Sequence, residues 1–265
     1  MPAVDSHAHV FPRQSRTAPD ARYRPGYPAL TQDWMALWPQ ARISRGVLVQ
    51  PSFLGTDNHY LLQQLEAGGD RMRGVLVIDP GTDKAQLTAW HAMGARGVRL
   101  NLIGVADLGV YAQMQWQSLF RMVAELDWHV EIQCEGERIP RLLATLKASP
   151  PTLVLDHFGL PDPTARGGCP GVSTILREAA RRRLYVKLSA PYRLRGADAQ
   201  SYAARYLAEL GAERLLWGSD WPWTNHETGR DYLACRDCLN SWIPSAVARQ
   251  QILWEAPRAL YGFSA

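Results

Sequence analysis

The sequence predicts an α/β fold, a single eight-stranded (β/α)8 barrel of the TIM-barrel class spanning residues 1–265, with a long loop after the first strand. Three observations carry this. The length of 265 residues leaves one barrel of about 250 residues or two ordinary domains. A short motif then recurs as Arg45-Gly46-Val47-Leu48-Val49, Arg73-Gly74-Val75-Leu76-Val77 and Arg96-Gly97-Val98-Arg99-Leu100, each an apolar run announced by Gly and followed by a helical stretch. Finally, eight apolar runs share the chain, so one unit averages about 33 residues, the size of a strand, a loop and a helix.

In order, the expected strands are Val4 to His9, 46–50, 74–79, 97–101, His129 to Gln133, Leu153 to His157, Leu184 to Leu188 and Leu215 to Asp220. β-Branched and Leu-rich runs bounded by turn residues such as Pro51-Ser52 and Asp79-Pro80-Gly81 support each one. Amphipathic helices are expected at Tyr60 to Ala67, Gln115 to Leu126, Ala199 to Leu210 and Ala246 to Trp254. Two irregular stretches interrupt the alternation. The segment from Pro12 to Leu30, rich in Pro, Arg and Tyr, follows the first strand, and Gly159 to Pro170 follows the sixth. Both lie on the carboxyl side of strands, the face on which barrels of this class carry their active sites, and long loops are commonly functional.

Composition narrows the function. The formal charge of +4 comes from 29 basic and 25 acidic residues, but the arginines are dispersed and only Arg181-Arg182-Arg183, placed on a surface helix, forms a run. A nucleic-acid groove is therefore not expected. Four cysteines, Cys134, Cys169, Cys235 and Cys238, are too few for a disulfide framework in a chain this long. The Cys235/Cys238 pair has no second pair to complete a zinc site. With no apolar run of membrane-spanning length and no signal-like start, a cytoplasmic enzyme without membrane contact is expected. The ten tryptophans are assigned mainly to core packing, and exposed ones could form the interface of a homodimer.

The chemistry sits at strand ends. His7 and His9 are two apart in the first strand, and residues i and i+2 point to one side. A lone His is commonly a satisfied core or surface residue, whereas two converging imidazoles point to metal binding or acid/base work. His157 ends the sixth strand, and Asp220 ends the eighth, which returns beside the first when a barrel closes. Asp220 before Pro222 is also an ordinary turn former. His59, His91 and His129 lack partners at ligand spacing and are read as structural, while His226 lies close enough to the mouth to touch a substrate. Ser219 has no nucleophile elbow around it.

These residues resemble a family. His7-Ala8-His9, His157-Phe158-Gly159 and Gly218-Ser219-Asp220-Trp221-Pro222 look like the amidohydrolase superfamily, in its amidohydrolase-2 branch. Gly97-Val98-Arg99-Leu100-Asn101 and the segment Val186 to Arg193 resemble the 2-pyrone-4,6-dicarboxylate lactonase-like group within it. The resemblance implies a reaction centre of His7, His9, His157 and Asp220. Two-metal members place a bridging lysine on strand four and a histidine on strand five, where this chain has Asn101 and Gln133. No lysine near either strand is expected to bridge. One divalent ion, zinc in the first instance, held by His7, His9, His157 and Asp220 then remains, or no metal.

The function implied is hydrolysis of a small carboxylated lactone of aromatic-compound degradation, with Asp220 as general base and the three histidines polarising the carbonyl. A mononuclear zinc-dependent decarboxylase or amide hydrolase is the alternative, and a non-catalytic carboxylate-binding barrel is a third. Arg99 interrupts an apolar strand, so it either pairs with a barrel carboxylate or, with Arg193, clamps substrate carboxylates. Tyr23 or Tyr27 would add a hydroxyl, Gln133 and Asn101 polar contacts, and Arg13, Arg16, Arg22 and Arg24 an electropositive funnel.

Overall fold

Eight parallel strands pair in the order of the chain: β1 (Val4–Ala8), β2 (Arg45–Val49), β3 (Met72–Leu76), β4 (Ala95–Asn101), β5 (His129–Gln133), β6 (Thr152–Leu155), β7 (Leu184–Leu188) and β8 (Leu215–Trp217). The two ends of the sheet meet through hydrogen bonds from Asp220 N–H to the His7 carbonyl (2.9 Å) and from His9 N–H to the Trp221 carbonyl (2.7 Å). The computed structural model describes residues 2–19, 21–146, 152–165 and 168–264. Gly167, in the second irregular stretch, lies outside the described residues.

Helices surround the sheet: α1 (Thr31–Ala41), α2 (His59–Gly68), α3 (Lys84–Ala92), α4 (Met114–Glu125), α5 (Ile139–Thr145), α6 (Pro170–Ala179), α7 (Ala199–Leu210) and α8 (Tyr232–Trp242). Asp83, Asp198 and Asp231 cap α3, α7 and α8 by accepting backbone N–H bonds. The expected last helix, Ala246 to Trp254, is instead α9 (Ala246–Gln250) running through one π-helical turn (Gln251–Glu255) into α10 (Ala256–Tyr261). Arg181 to Arg183 lie in the turn after α6 rather than on a helix, because α6 ends at Ala179. Among the described residues no helix is long and apolar enough to cross a membrane.

Alternation along each strand sorts the residues into two cores. Outward side chains such as Leu48, Val98, Val130, Leu155 and Val186 pack under helix residues including Trp34, Leu61, Phe120 and Leu142. Glycine permits this at Gly46, where a Cβ would lie 2.3 Å from the Trp34 ring. Inside the barrel, Val4, Val47, Val49, Val75, Val154, Tyr185 and Leu216 form a second cluster that Leu260, Tyr261 and Phe263 close from below. Fully burying one such side chain contributes roughly 1.5–3 kcal/mol. This apolar floor leaves the carboxyl end of the barrel for polar groups.

None of the ten tryptophans is exposed: Trp90, Trp116 and Trp223 are half-buried and the other seven are buried. Cys235 and Cys238 sit within α8, and all four thiols are free.

Candidate active site

β1 carries a bulge. Asp5 pairs with Gly46 and Ala8 with Leu48, so three steps of β1 oppose two of β2. The extra residue lets Val4 face the barrel floor while His7 and His9 also turn inward, with their Nε2 atoms 3.3 Å apart. Asp5 points outward and anchors the seam. Its carboxylate accepts from Ser219 N–H, Ser219 Oγ, His7 N–H, Trp34 Nε1 and Tyr232 Oη at 2.6 to 3.2 Å. Burial still pushes the Asp5 carboxyl up from its ordinary value. Gly218 leaves room for this arrangement, since a Cβ there would lie 2.5 Å from that of His7.

The strands expected to end at His157 and Asp220 stop earlier, at Leu155 and Trp217. Both residues adopt left-handed backbone, with φ of 50° and 58°, outside the extended range of a strand. Such conformations cost about 1–3 kcal/mol each at a non-glycine residue and concentrate at functional sites. The turn swings Asp220 Oδ1 to 3.5 Å from His7 Nε2, 3.4 Å from His9 Nε2 and 3.9 Å from His157 Nε2. The structure thus brings all four predicted residues together.

Oδ2 of Asp220 is occupied, accepting from Tyr192 Oη (2.5 Å) and Arg193 Nε (2.8 Å). Oδ1 is buried with no hydrogen-bond partner, as is His157 Nε2. Burial alone would raise the Asp220 carboxyl, but Arg193 and then the neighbouring His157 outweigh it and hold the group well below the usual range. Burial draws the His157 imidazole down to about 4 despite the opposing pull of Asp220 and Asp156. The His7 imidazole is likewise lowered, by burial and then by Lys187. At neutral pH His7 and His157 therefore present neutral imidazoles to a carboxylate.

Beneath these groups lies a charged layer that sequence reasoning missed apart from Arg99. Lys187 of β7 is fully buried, with Nζ 2.5 Å from Glu131 Oε2, 3.1 Å from His7 Nδ1 and 3.5 Å from Asp156 Oδ1. Arg99 Nη2 donates to Asp156 Oδ2 at 3.0 Å. Two cations thus face two carboxylates. Burial would raise Glu131 and Asp156, yet Lys187 helps to bring both below their ordinary values, with Arg99 adding to the effect at Asp156. The inward side of β7 aims Lys187 across the barrel to Glu131 of β5. A signal was present: Glu131 in His-Val-Glu-Ile-Gln and Lys187 in Tyr-Val-Lys-Leu occupy the same alternate positions as Arg99 in its strand. His129, expected to lack partners, lies in this interior with Nε2 3.6 Å from Glu131 Oε2.

A cavity of about 180 Å³ opens above, lined by His9, Arg22, Tyr23, Phe53, Arg99, Ile103, Gln133 and Arg193, with Pro51, Ser52, Thr224 and Asn225 at its walls. Arg99 pairs with a barrel carboxylate, Asp156, and also lines the cavity. Of the four loop arginines only Arg22 lines the cavity. Arg24 turns back onto Thr17, Ala18 and Pro19 of its own loop. The Tyr23 and Tyr27 hydroxyls both donate to Glu227 Oε1, at 2.5 and 2.6 Å. Tyr27 packs its ring against Phe11. Asn101 stands beside Gln133 in register, and neither of its buried amide atoms has a partner. A second cavity of about 380 Å³ shares Ile103, Gln133 and Arg193 and adds Tyr192, Arg195 and His226.

The upper cluster can hold a metal ion. His7, His157 and Asp220 offer ligand atoms within 4.8 Å of one another, and His9 Nε2 adjoins them. Four donors each about 2.1 Å from one ion stand about 3.4 Å apart in a tetrahedron. The four separations given above, 3.3 to 3.9 Å, lie near that spacing. His9 Nδ1 contacts the Val49 carbonyl at 2.7 Å and His157 Nδ1 contacts Ser189 Oγ at 2.9 Å, the outer bonds that orient such ligands. The lower group of His7, Glu131 and Asp156 also has ligand spacing, but Lys187 Nζ is already hydrogen-bonded within it.

Comparison with known proteins agrees with this fold. The amidohydrolase family model matches residues 4–263. A solved structure from Pseudomonas putida, a candidate 2-pyrone-4,6-dicarboxylic acid hydrolase, is 39% identical, covers 99% of this chain and 98% of its own, and superposes with a TM-score of 0.90. A similar candidate from Acinetobacter baumannii, solved with citric acid bound, is 33% identical over 99% of this chain and 100% of its own, with a TM-score of 0.93. The 2-pyrone-4,6-dicarboxylate hydrolase of Comamonas testosteroni is 29% identical over 98% of this chain and 90% of its own length.

Proposed function

The chain belongs to the amidohydrolase family, and from that premise we propose that it hydrolyses a small lactone carrying one or more carboxylates. The observation that carries this reading is the meeting of a free carboxylate oxygen, Asp220 Oδ1, with three imidazole nitrogens beside a small cavity flanked by Arg22, Arg99 and Arg193. The Acinetobacter structure binds citric acid, a small carboxylate of the same character.

Each group has a part. Arg193 Nε is committed to Asp220 and one terminal nitrogen donates to the Thr224 carbonyl, which leaves its other terminal nitrogen for a substrate carboxylate. Arg99 and Arg22 supply further charge at the cavity wall. With the carboxylates held, the lactone carbonyl lies toward the imidazoles and water toward Asp220 Oδ1. Water adds to the carbonyl carbon as Asp220 takes its proton. Imidazole N–H groups stabilise the oxyanion, the ring C–O bond breaks, and the proton passes to the departing oxygen. An ion held by the same four atoms would supply Lewis acidity at this point.

Arg193 both lowers the basicity of Asp220 and binds the substrate, which couples the two. A carboxylate arriving on Arg193 competes for the guanidinium and raises the proton affinity of Asp220.

The direct test is incubation with 2-pyrone-4,6-dicarboxylate and with sugar lactones bearing or lacking a carboxylate. Ring opening confined to carboxylated lactones is expected. Turnover of none of them, or equal turnover of neutral ones, overturns the reading.

A further inference from the structure

We propose that Lys187 fixes the tautomer of His7, placing its proton on Nε2 through a one-way chain of hydrogen bonds from Lys187 through His7 and His9 to the Val49 carbonyl. The chain is defined by its two ends. At one end, Lys187 lies between Glu131 and Asp156, so its nitrogen is an ammonium that can only donate, and His7 Nδ1 is 3.1 Å away. At the other end the Val49 carbonyl can only accept, so His9 Nδ1, at 2.7 Å, must carry a hydrogen. Between the ends, the two Nε2 atoms are 3.3 Å apart.

Only one assignment of neutral rings satisfies all three contacts. His7 Nδ1 accepts from Lys187, His7 Nε2–H donates to His9 Nε2, and His9 Nδ1–H donates to Val49. Moving the His7 proton to Nδ1 would set two N–H groups against each other at 3.1 Å and two lone pairs against each other at 3.3 Å. Asp156 Oδ1 is the competitor for an Nδ1 proton, at 3.2 Å. It is nevertheless without a hydrogen-bond partner, because it lies off the direction of the ring nitrogen.

The proton so placed lies where the proposed hydrolysis needs a donor, 3.5 Å from Asp220 Oδ1 when measured from its nitrogen, and this consequence rests on that reading. The same proton occupies the lone-pair direction that an ion would need on His7. Lys187 acts through His7, as a positioning residue, and biases His7 toward donating a hydrogen bond rather than ligating an ion.

Two-bond proton–nitrogen correlation spectra of ¹⁵N-histidine-labelled protein as isolated read the tautomers directly, with His7 and His9 assigned by the resonances lost in His7→Gln and His9→Gln. The expected pattern is His7 protonated at Nε2 and His9 at Nδ1. A His7 ring protonated at Nδ1, or bare at Nε2 through metal binding, overturns the proposal on the wild-type spectrum alone. In folded Lys187→Met one of the two constraints on His7 is lost while the His9 contact remains, so a measurable population of the Nδ1–H tautomer is expected beside the Nε2–H form, and a spectrum indistinguishable from wild type would remove Lys187 from the assignment. Lactone turnover on the same wild-type sample separates the two readings. Absent turnover with the expected spectrum refutes the reaction and keeps the tautomer, and active enzyme with His7 protonated at Nδ1 does the reverse.

Discussion

Arg193 and Asp220 share a 2.8 Å hydrogen bond from Nε to Oδ2, the same oxygen that accepts from Tyr192, and Oδ1 is left as the free oxygen facing the histidines. Asp220→Asn removes the proton acceptor and frees Arg193. Turnover is expected to fall by roughly 10²–10⁴-fold, the usual contribution of a positioned general base. Binding of citrate, followed by the fluorescence of Trp221 and Trp223, should be at least as tight as before. Near-native kcat in this variant would remove Asp220 from the role of base.

The two arginines at the cavity are expected to fail differently. Arg193→Met loses a charged hydrogen bond to substrate worth about 1.5–3 kcal/mol, read as a KM raised roughly 10- to 100-fold. Both variants strip a buried carboxylate of its guanidinium, but Asp220 keeps the Tyr192 hydroxyl and its arginine is partly exposed, whereas Asp156 loses a fully buried pair, at about 3–5 kcal/mol, so the larger stability loss is expected in Arg99→Met. Urea unfolding compared with steady-state kinetics separates them. Equal stability loss in both variants would contradict the distinction.

Acid should destabilise the fold through His157. Its folded pKa of about 4 lies below the ordinary 6.5, so between those values the unfolded chain binds the proton and the native state does not. Stability is then complete above pH 6.5 and falls as the pH drops toward about 4, by about 3 kcal/mol at 1.36 kcal/mol per pH unit. His157→Gln should flatten that part of the curve in urea titrations at stepped pH. An unchanged slope would mean that His157 titrates normally.

Glu227 ties the loop after β1 to the loop after β8, since Oε1 accepts from Tyr23, Tyr27 and the Asn225 N–H. Glu227→Ala should release the loop that carries Arg22. Faster tryptic cleavage after Arg22 and a raised KM are expected, with kcat changed less than KM. Cleavage at the wild-type rate would show that the two tyrosines hold the loop without it.

Chelator treatment gives the remaining test. With a proton on His7 Nε2, lactone hydrolysis is expected to survive dialysis against a strong chelator. Activity lost on dialysis and restored by zinc would assign an ion to His7, His9, His157 and Asp220 instead.

The strand count, the helix alternation and the placement of His7, His9, His157 and Asp220 at strand ends were legible in the chain, because side-chain period and turn chemistry are local properties. The early ends of β6 and β8 were less so. His157 and Asp220 take left-handed backbone, which apolar periodicity does not encode at a non-glycine residue. Lys187 and Glu131 were overlooked although their inward positions followed from the same alternation that exposed Arg99. Glu227 left no trace at all, as it lies about 200 residues from the two tyrosines it holds.

By itself, then, the sequence determined a barrel with histidines and an aspartate at its carboxyl end, since periodicity assigns faces and strand ends assign depth. Tertiary structure decided the partners. Whether Arg99 is spent on Asp156 or faces the cavity, which oxygen of Asp220 stays free, and which nitrogen of His7 receives the Lys187 proton depend on separations of about 3 Å between strands distant in the chain. The directionality of hydrogen bonds turns those separations into chemistry, and that geometry exists only once the barrel has closed.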